Sequence, residues 1–311
     1  MLFRSPIRNY VALYLGRAFF ETGRFRDAVS MLEPYTGRFP DKADHLLLLD
    51  TLWRASHHLN DMPAQFGFAQ QYLLSTDAPH VVSEIRNDVI ARTLEISDAS
   101  LFPPVLTALQ EQEWVWAVLM ARLLQLQLDT GDMNAAGDTA AALKERASAQ
   151  ISSGLPWWNP VRDAVAIAEN RMRADMNTIG LLLPLTGRMR LLGDAALKGA
   201  TVASRRHPHE NRSRPLQLVV RDTGDDPDRA VAALVELVEK DRVGAVIGPM
   251  DGAASALVAR KAAALGVPVV SLSSREGLGK ENSWIFRQSA SASLEIKALL
   301  DAVALSAGRR M

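Results

Sequence analysis

The sequence predicts two domains of different class: a helical repeat array over residues 1–175, then a doubly wound parallel α/β lobe over residues 176–311. Three observations carry this reading. Up to about residue 173 the apolar side chains recur at helical spacing. The run IGLLLPLTG at 179–187 then opens with an apolar stretch and stops at a Pro-Leu-Thr-Gly turn, the pattern of a strand covered on both faces. Beyond it, short apolar runs alternate with amphipathic stretches, as βαβ units require.

Composition narrows the class. A chain of 311 residues has room for two domains. With 48% hydrophobic and 23% charged residues it is ordinary globular material. Its 35 basic and 35 acidic side chains cancel, which weighs against a general binder of nucleic acid or anionic membranes. The absence of cysteine rules out disulfides, thiolate metal sites and a cysteine nucleophile, and leaves the compartment open. No apolar stretch approaches the ~18 residues of a membrane helix. Arg8 and Arg17 interrupt the first twenty residues, whose apolar positions fit a helix rather than an export signal.

The first helix is expected at 10–22, ended by Gly23, and the second at 25–38, ended before Pro40. Ala12, Leu15, Gly16 and Phe19 share a face of the first; Ala28, Leu32 and Tyr35 face it from the second. The small Gly16 and Ala28 permit close approach. This spacing resembles a tetratricopeptide repeat over its period of about 34 residues. Further helices fall at 43–58, 63–75 and 79–96, a hairpin at 114–130 and 133–150 around Gly131-Asp132, and a last helix at 160–173. Such units stack into a solenoid, either to bind proteins on a concave face or simply as architecture. Trp157 and Trp158, between Pro156 and Pro160, read as packing for the last helix rather than as a stacking platform for carbohydrate or peptide. His57, His58, His207 and His209 lack metal-ligand spacing and read as surface residues.

In the second half, strands are expected at 179–183, 216–221, 243–247 and 267–272, with an extended piece at 284–286. Helices fall at 191–205, 227–240, 253–264 and 291–307, and 207–215 is a polar loop. Asp226 can cap its helix, Pro227 suits the first helical position, and Asp228 favours the positive end of the helix dipole. With strand order 2-1-3-4 the switch point lies between strands one and three, where such sheets bind ligands. The loops there are 184–187 and 248–252, with 271–274 beside them. They supply the candidate ligand-binding residues Thr186, Asp251, Gly252, Ser271, Ser273 and Ser274. No catalytic residue, metal or cofactor is assigned. GxSxG, Walker A and strand-following GxGxxG patterns are missing, and Gly277, Gly279 and Lys280 lack a third glycine. The cluster Asp222, Asp225, Asp226 and Asp228 does not have calcium-loop spacing.

IGLLLPLTG, GDAALKGA, RDTGDDPDRAVAAL, VGAVIGP, GVPVVSLSS and WIFRQSAS, in that order, resemble the first lobe of type I periplasmic-binding proteins, the fold of branched-chain amino-acid receptors. The resemblance covers about residues 177–311. With the helical array in front, the whole is similar to the LpoA-type penicillin-binding protein activators. In the receptors, hydroxyls and backbone N–H groups after strands three and four hold the ligand's amino and carboxylate groups. Ser271, Ser273 and Ser274 keep hydroxyls there, but Met250-Asp251-Gly252 departs from the pattern. A carboxylate at Asp251 would repel a ligand carboxylate and attract an ammonium group; its other reading, as the cap of the helix from Ala253, is preferred.

The resemblance to the activators implies a non-enzymatic regulator of peptidoglycan synthesis in the periplasm. It would dock on a bifunctional penicillin-binding protein, the peptidoglycan synthase, and shift it toward an active state. It also implies an outer-membrane lipoprotein, whose lipid anchor and export signal are not among these residues. The alternative is a solute-binding receptor of the ABC-transporter type for branched-chain amino acids or related small molecules. The family continues past the position of Gly308 into a further strand and a second lobe. The expectation is therefore a fragment, preceded by an export signal and followed by a second α/β lobe.

Overall fold

A computed structural model of the protein describes residues 6–109, 113–206, 216–278, 284–288 and 292–307. The chain falls into two compact units, Met1–Val165 and Ala166–Met311. His207, His209, Gly279, Lys280 and the terminal 308–311 lie outside the described residues.

The first unit contains α1 (Pro6–Glu21), α2 (Phe25–Leu32), α3 (Lys42–His58), α4 (Met62–Ser75), α5 (Pro79–Glu95), the short α6 (Phe102–Leu106), α7 (Trp114–Thr130) and α8 (Met133–Ile151); α9 (Asn159–Arg173) follows. Hairpins form between α1 and α2, α3 and α4, and α7 and α8. Gly16 lets the first hairpin close, because a Cβ there would overlap the fully buried Leu32 side chain. Aspartates begin several helices: Asp41 accepts from the N–H groups of Ala43 and Asp44, Asp61 from Ala64, and Asp132 from Ala135. Three elements differ from expectation, the first being α1, which begins at Pro6 rather than at residue 10. The second helix stops at Leu32 rather than 38, since Pro34 has no N–H to continue the ladder and a 3-10 turn, Glu33–Tyr35, takes over. The stretch FPPVL, where no element is expected, forms α6, because its prolines occupy the first turn and Phe102 is fully buried. Among the described residues, no helix is long and apolar enough to cross a membrane.

The second unit contains β1 (Asp175–Leu183), α10 (Arg190–Arg206), β2 (Gln217–Asp222), α11 (Pro227–Glu239), β3 (Val243–Ile247), α12 (Gly252–Leu265), β4 (Val269–Ser271), β5 (Ile285–Arg287) and α13 (Ala292–Ala307). The sheet runs β2-β1-β3-β4-β5 and every pairing is parallel. β1 therefore lies inside the sheet and pairs with β2 on one side and β3 on the other. It begins at Asp175, four residues before its apolar run, because Asp175 N–H donates to Arg242 O at 2.7 Å before the register shifts ahead of Ile179. The core joins Leu182, Val246 and Val269 of the sheet to Leu234 and Leu237 of α11 and to Val258 and Ala262 of α12. Burying such aliphatic side chains stabilises by about 1.5–3 kcal/mol each.

Gly248 ends β3 with φ +105°, and its N–H donates to Val270 O at 2.8 Å. A Cβ there would overlap Leu182 O, a backbone atom that cannot swing away. Gly248→Ala should therefore lower stability by more than about 2 kcal/mol in urea unfolding, from strain and clash together. Gly199→Ala, in open space on α10, should instead be neutral or stabilising by up to about 1 kcal/mol. Equal effects of the two substitutions would contradict this account.

Candidate functional site

The loops at the carboxyl ends of β1 to β4 meet the switch-point description, and one side chain organises two of them. Asp222, the last residue of β2, accepts through Oδ1 from Leu185 N at 2.8 Å, Thr186 N at 3.2 Å and Gly224 N at 2.9 Å. Its Oδ2 accepts from Thr186 Oγ1 at 2.6 Å and Arg229 Nη2 at 2.9 Å. Burial pushes this carboxyl up, but the hydrogen bonds from the Thr186 hydroxyl and the N–H groups of Gly224, Leu185 and Thr186 outweigh it and hold the pKa at about 2. Asp225 extends the tie by accepting from Arg188 N at 2.8 Å. The candidate Thr186 thus spends its hydroxyl proton on Asp222.

The remaining candidates form a second hydrogen-bonded group. Asp251 is the N-cap of α12, its Oδ1 accepting from Ala253 N at 2.9 Å and Ala254 N at 2.8 Å, and Gly252 begins that helix. Ser255 Oγ donates to Asp251 O at 2.7 Å and lies 3.0 Å from Ser271 Oγ. Ser271 is fully buried, and its hydroxyl also accepts from Ser273 N at 3.2 Å. Ser273 is buried and accepts from Arg275 N at 3.1 Å, whereas Ser274 is exposed. A recess between Pro184, the 223–227 loop, Asp251 and Ala254 measures about 10 Å³, room for about one water molecule. Asp226 accepts from Asp228 N at 2.9 Å, capping α11. Among the described residues, no cluster of three or more His, Asp or Glu side chains is placed to hold a metal ion.

In the first unit, Trp158 is buried and Trp157 is 37% exposed. Trp157 O accepts from Trp114 Nε1 at 2.8 Å. A groove of about 770 Å³ runs beside this pair and α5. Sequence reading missed both Asp222 as the loop tie and Arg86 in this groove. The first sat in an acidic cluster whose members look alike; the second is one arginine in a helical pattern that singles out no position.

Residues 177–311 match the model of the periplasmic binding protein family. The second unit is thus a periplasmic-binding-protein-like lobe, and the chain as a whole joins helical hairpins to it. Among solved structures, the chain is similar to the branched-chain amino-acid transporter substrate-binding protein LivJ of Streptococcus pneumoniae, solved with isoleucine: 25% identity over 38% of this chain and 34% of that one, TM-score 0.36. It is similar to the leucine-binding protein LivK of Thermotoga maritima at 25% identity, over 37% of this chain and 33% of that one, TM-score 0.34. Full-length LpoA of Haemophilus influenzae aligns at 14% identity over 89% of this chain and 48% of that one, TM-score 0.39. The chain spans about a third of the length of the two receptors and about half that of LpoA. No curated protein matches it.

The Asp222 geometry has a pH signature. Its folded pKa of about 2 lies below the unfolded value of about 3.9, so its contribution is complete above about pH 4 and is lost as pH falls through 2. Asp222→Asn should cost about 2 kcal/mol at pH 7, measured by urea unfolding, and the gap from the parent protein should narrow at pH 3. A gap of the same size at both pH values would show that the carboxylate's charge is not what ties the loops.

Proposed function

We propose that this protein is a non-enzymatic periplasmic regulator that acts by binding a partner protein, in the manner of the LpoA-type activators, with a bifunctional penicillin-binding protein as that partner. The observation that carries this reading is the internal commitment of the strand-end groups. Thr186 donates to Asp222, Ser271 is buried against Ser255 and Ser273 N, and the Asp251 carboxylate caps α12. A receptor needs such donors turned toward a ligand carboxylate, and here a carboxylate occupies the strand-three loop. The helical hairpins ahead of the lobe support the same reading, since stacked helical repeats offer extended surfaces for proteins.

The second reading is a solute-binding receptor, favoured by the family match of residues 177–311 and the exposed hydroxyl of Ser274. One pair of measurements separates the two. Under the regulator reading, the protein binds an immobilised bifunctional penicillin-binding protein saturably and raises its crosslinking of peptidoglycan. Its melting temperature then stays flat against leucine, isoleucine, valine and peptidoglycan fragments. A saturable rise with one of these compounds, without synthase binding, establishes the receptor instead, because a ligand selective for the folded state must stabilise it.

A further inference from the structure

We propose that the groove beside α5 is a binding site for an extended acidic peptide of a partner protein, with Arg86 receiving the peptide's carboxylate. The proposal stands apart from the reading of the second unit. At about 770 Å³ the groove lies within the size range of ligand sites, roughly 300–1,000 Å³. α5 lines it with Val82, Arg86 and Ile90, which share one helix face. The Arg86 guanidinium carbon lies 4.3 Å from the centre of the Trp157 ring and 5.5 Å from that of Trp114. The bond from Trp114 Nε1 to Trp157 O ties these two residues together, so the aromatic surfaces that fix the plane of the guanidinium are themselves held.

The stacked arginine lacks the anion that such an arrangement serves. Arg86 Nε is buried without a hydrogen-bond partner, and among the described residues Arg86 forms no ion pair. Leaving a buried donor unsatisfied is unfavourable, and an acceptor that completes the guanidinium's set of partners relieves the site. Burial also pulls the guanidinium below the ordinary arginine value. Because Nε is enclosed, the Nη edge of the planar fork is the part that can meet a carboxylate in the groove.

The surroundings choose the class of anion. Arg86 is the only cation among the described residues that line the groove, and the exposed Asp77 at its margin is paired with Lys42 Nζ at 3.4 Å. One guanidinium matches a single negative charge, whereas a phosphate dianion would call for more than one cation. Leu73, Val82 and Ile90 give apolar wall to neighbouring peptide side chains, and the exposed Ser83 and Asn87 offer hydrogen bonds to an extended backbone.

The test uses the full chain and an array of degenerate hexapeptides, each carrying one glutamate, beside the same peptides with glutamine. Glutamate members should be retained, and the best of them, followed by fluorescence anisotropy, should bind about tenfold tighter than its glutamine twin. Arg86→Met should abolish that preference while melting at the same temperature as the parent or higher, because it removes a half-buried cation that has no counter-ion among the described residues. Arg86→Lys, which keeps the charge but not the fork, should bind more weakly than the parent. The proposal fails if no peptide binds, or if glutamate and glutamine peptides bind equally. It fails too if Arg86→Met melts lower while keeping the preference, or if inorganic phosphate displaces the peptide at micromolar concentration.

Discussion

The face on which the sheet's strands end is organised by the Asp222 carboxylate. Five donors converge on its two oxygens, from the loop after β1, the loop after β2 and the first turn of α11. Those loops leave strands that lie side by side, and their backbone N–H groups have no partner in the sheet ladder once the strands stop. One aspartate supplies what three or more separate acceptors would otherwise provide. Because the donors include a guanidinium and a hydroxyl, the charge is compensated at the point where it is partly withdrawn from water.

This arrangement fixes what the same face can offer a ligand. The hydroxyls and carboxylates that resemble a receptor's ligand set are the groups that close the lobe's own loops. Asp251 belongs to α12 electrically, as its cap, before it belongs to any pocket. The serines after β4 hold that loop against the start of α12, and Ser274 alone of the three turns to solvent. A fold widely used for capturing small molecules thus presents here a face whose polar groups are mostly occupied. The groove in the helical unit has the opposite character, with a stacked cation whose buried nitrogen has no acceptor.

Much of this was legible in the amino-acid sequence, and the reasons are local. Apolar runs such as 179–183 and 243–247 carry their period within themselves, and Asp226-Pro227-Asp228 announces a helix start through cap, ring and charge. The order β2-β1-β3-β4, a condition of the doubly wound reading, is the one the sheet has. What stayed hidden depends on distance along the chain. Thr186 and Asp222 are far apart in sequence, and nothing in RDTGDDPD separates the aspartate that gathers loops from those that cap helices. Arg86 is set by Trp114 and Trp157, residues from two later elements. The end of α2 was missed for another reason: the apolar spacing continues past Leu32, while Pro34 removes the hydrogen bond that would extend it.

The position of β1 bears on how the protein is made. It is the first strand of its unit in sequence but lies between β2 and β3 in space. The helical hairpins before it join neighbours along the chain, so each can form as it leaves the ribosome. β1 cannot: its two flanks stay open until β2 and then β3 have been synthesised, and its most buried residues, Leu181 to Leu183, wait exposed for that interval. The unit that folds early is therefore the one carrying the groove, and β1 gains its second flank only when Ile247 arrives, with β4 and β5 still to be added to the sheet.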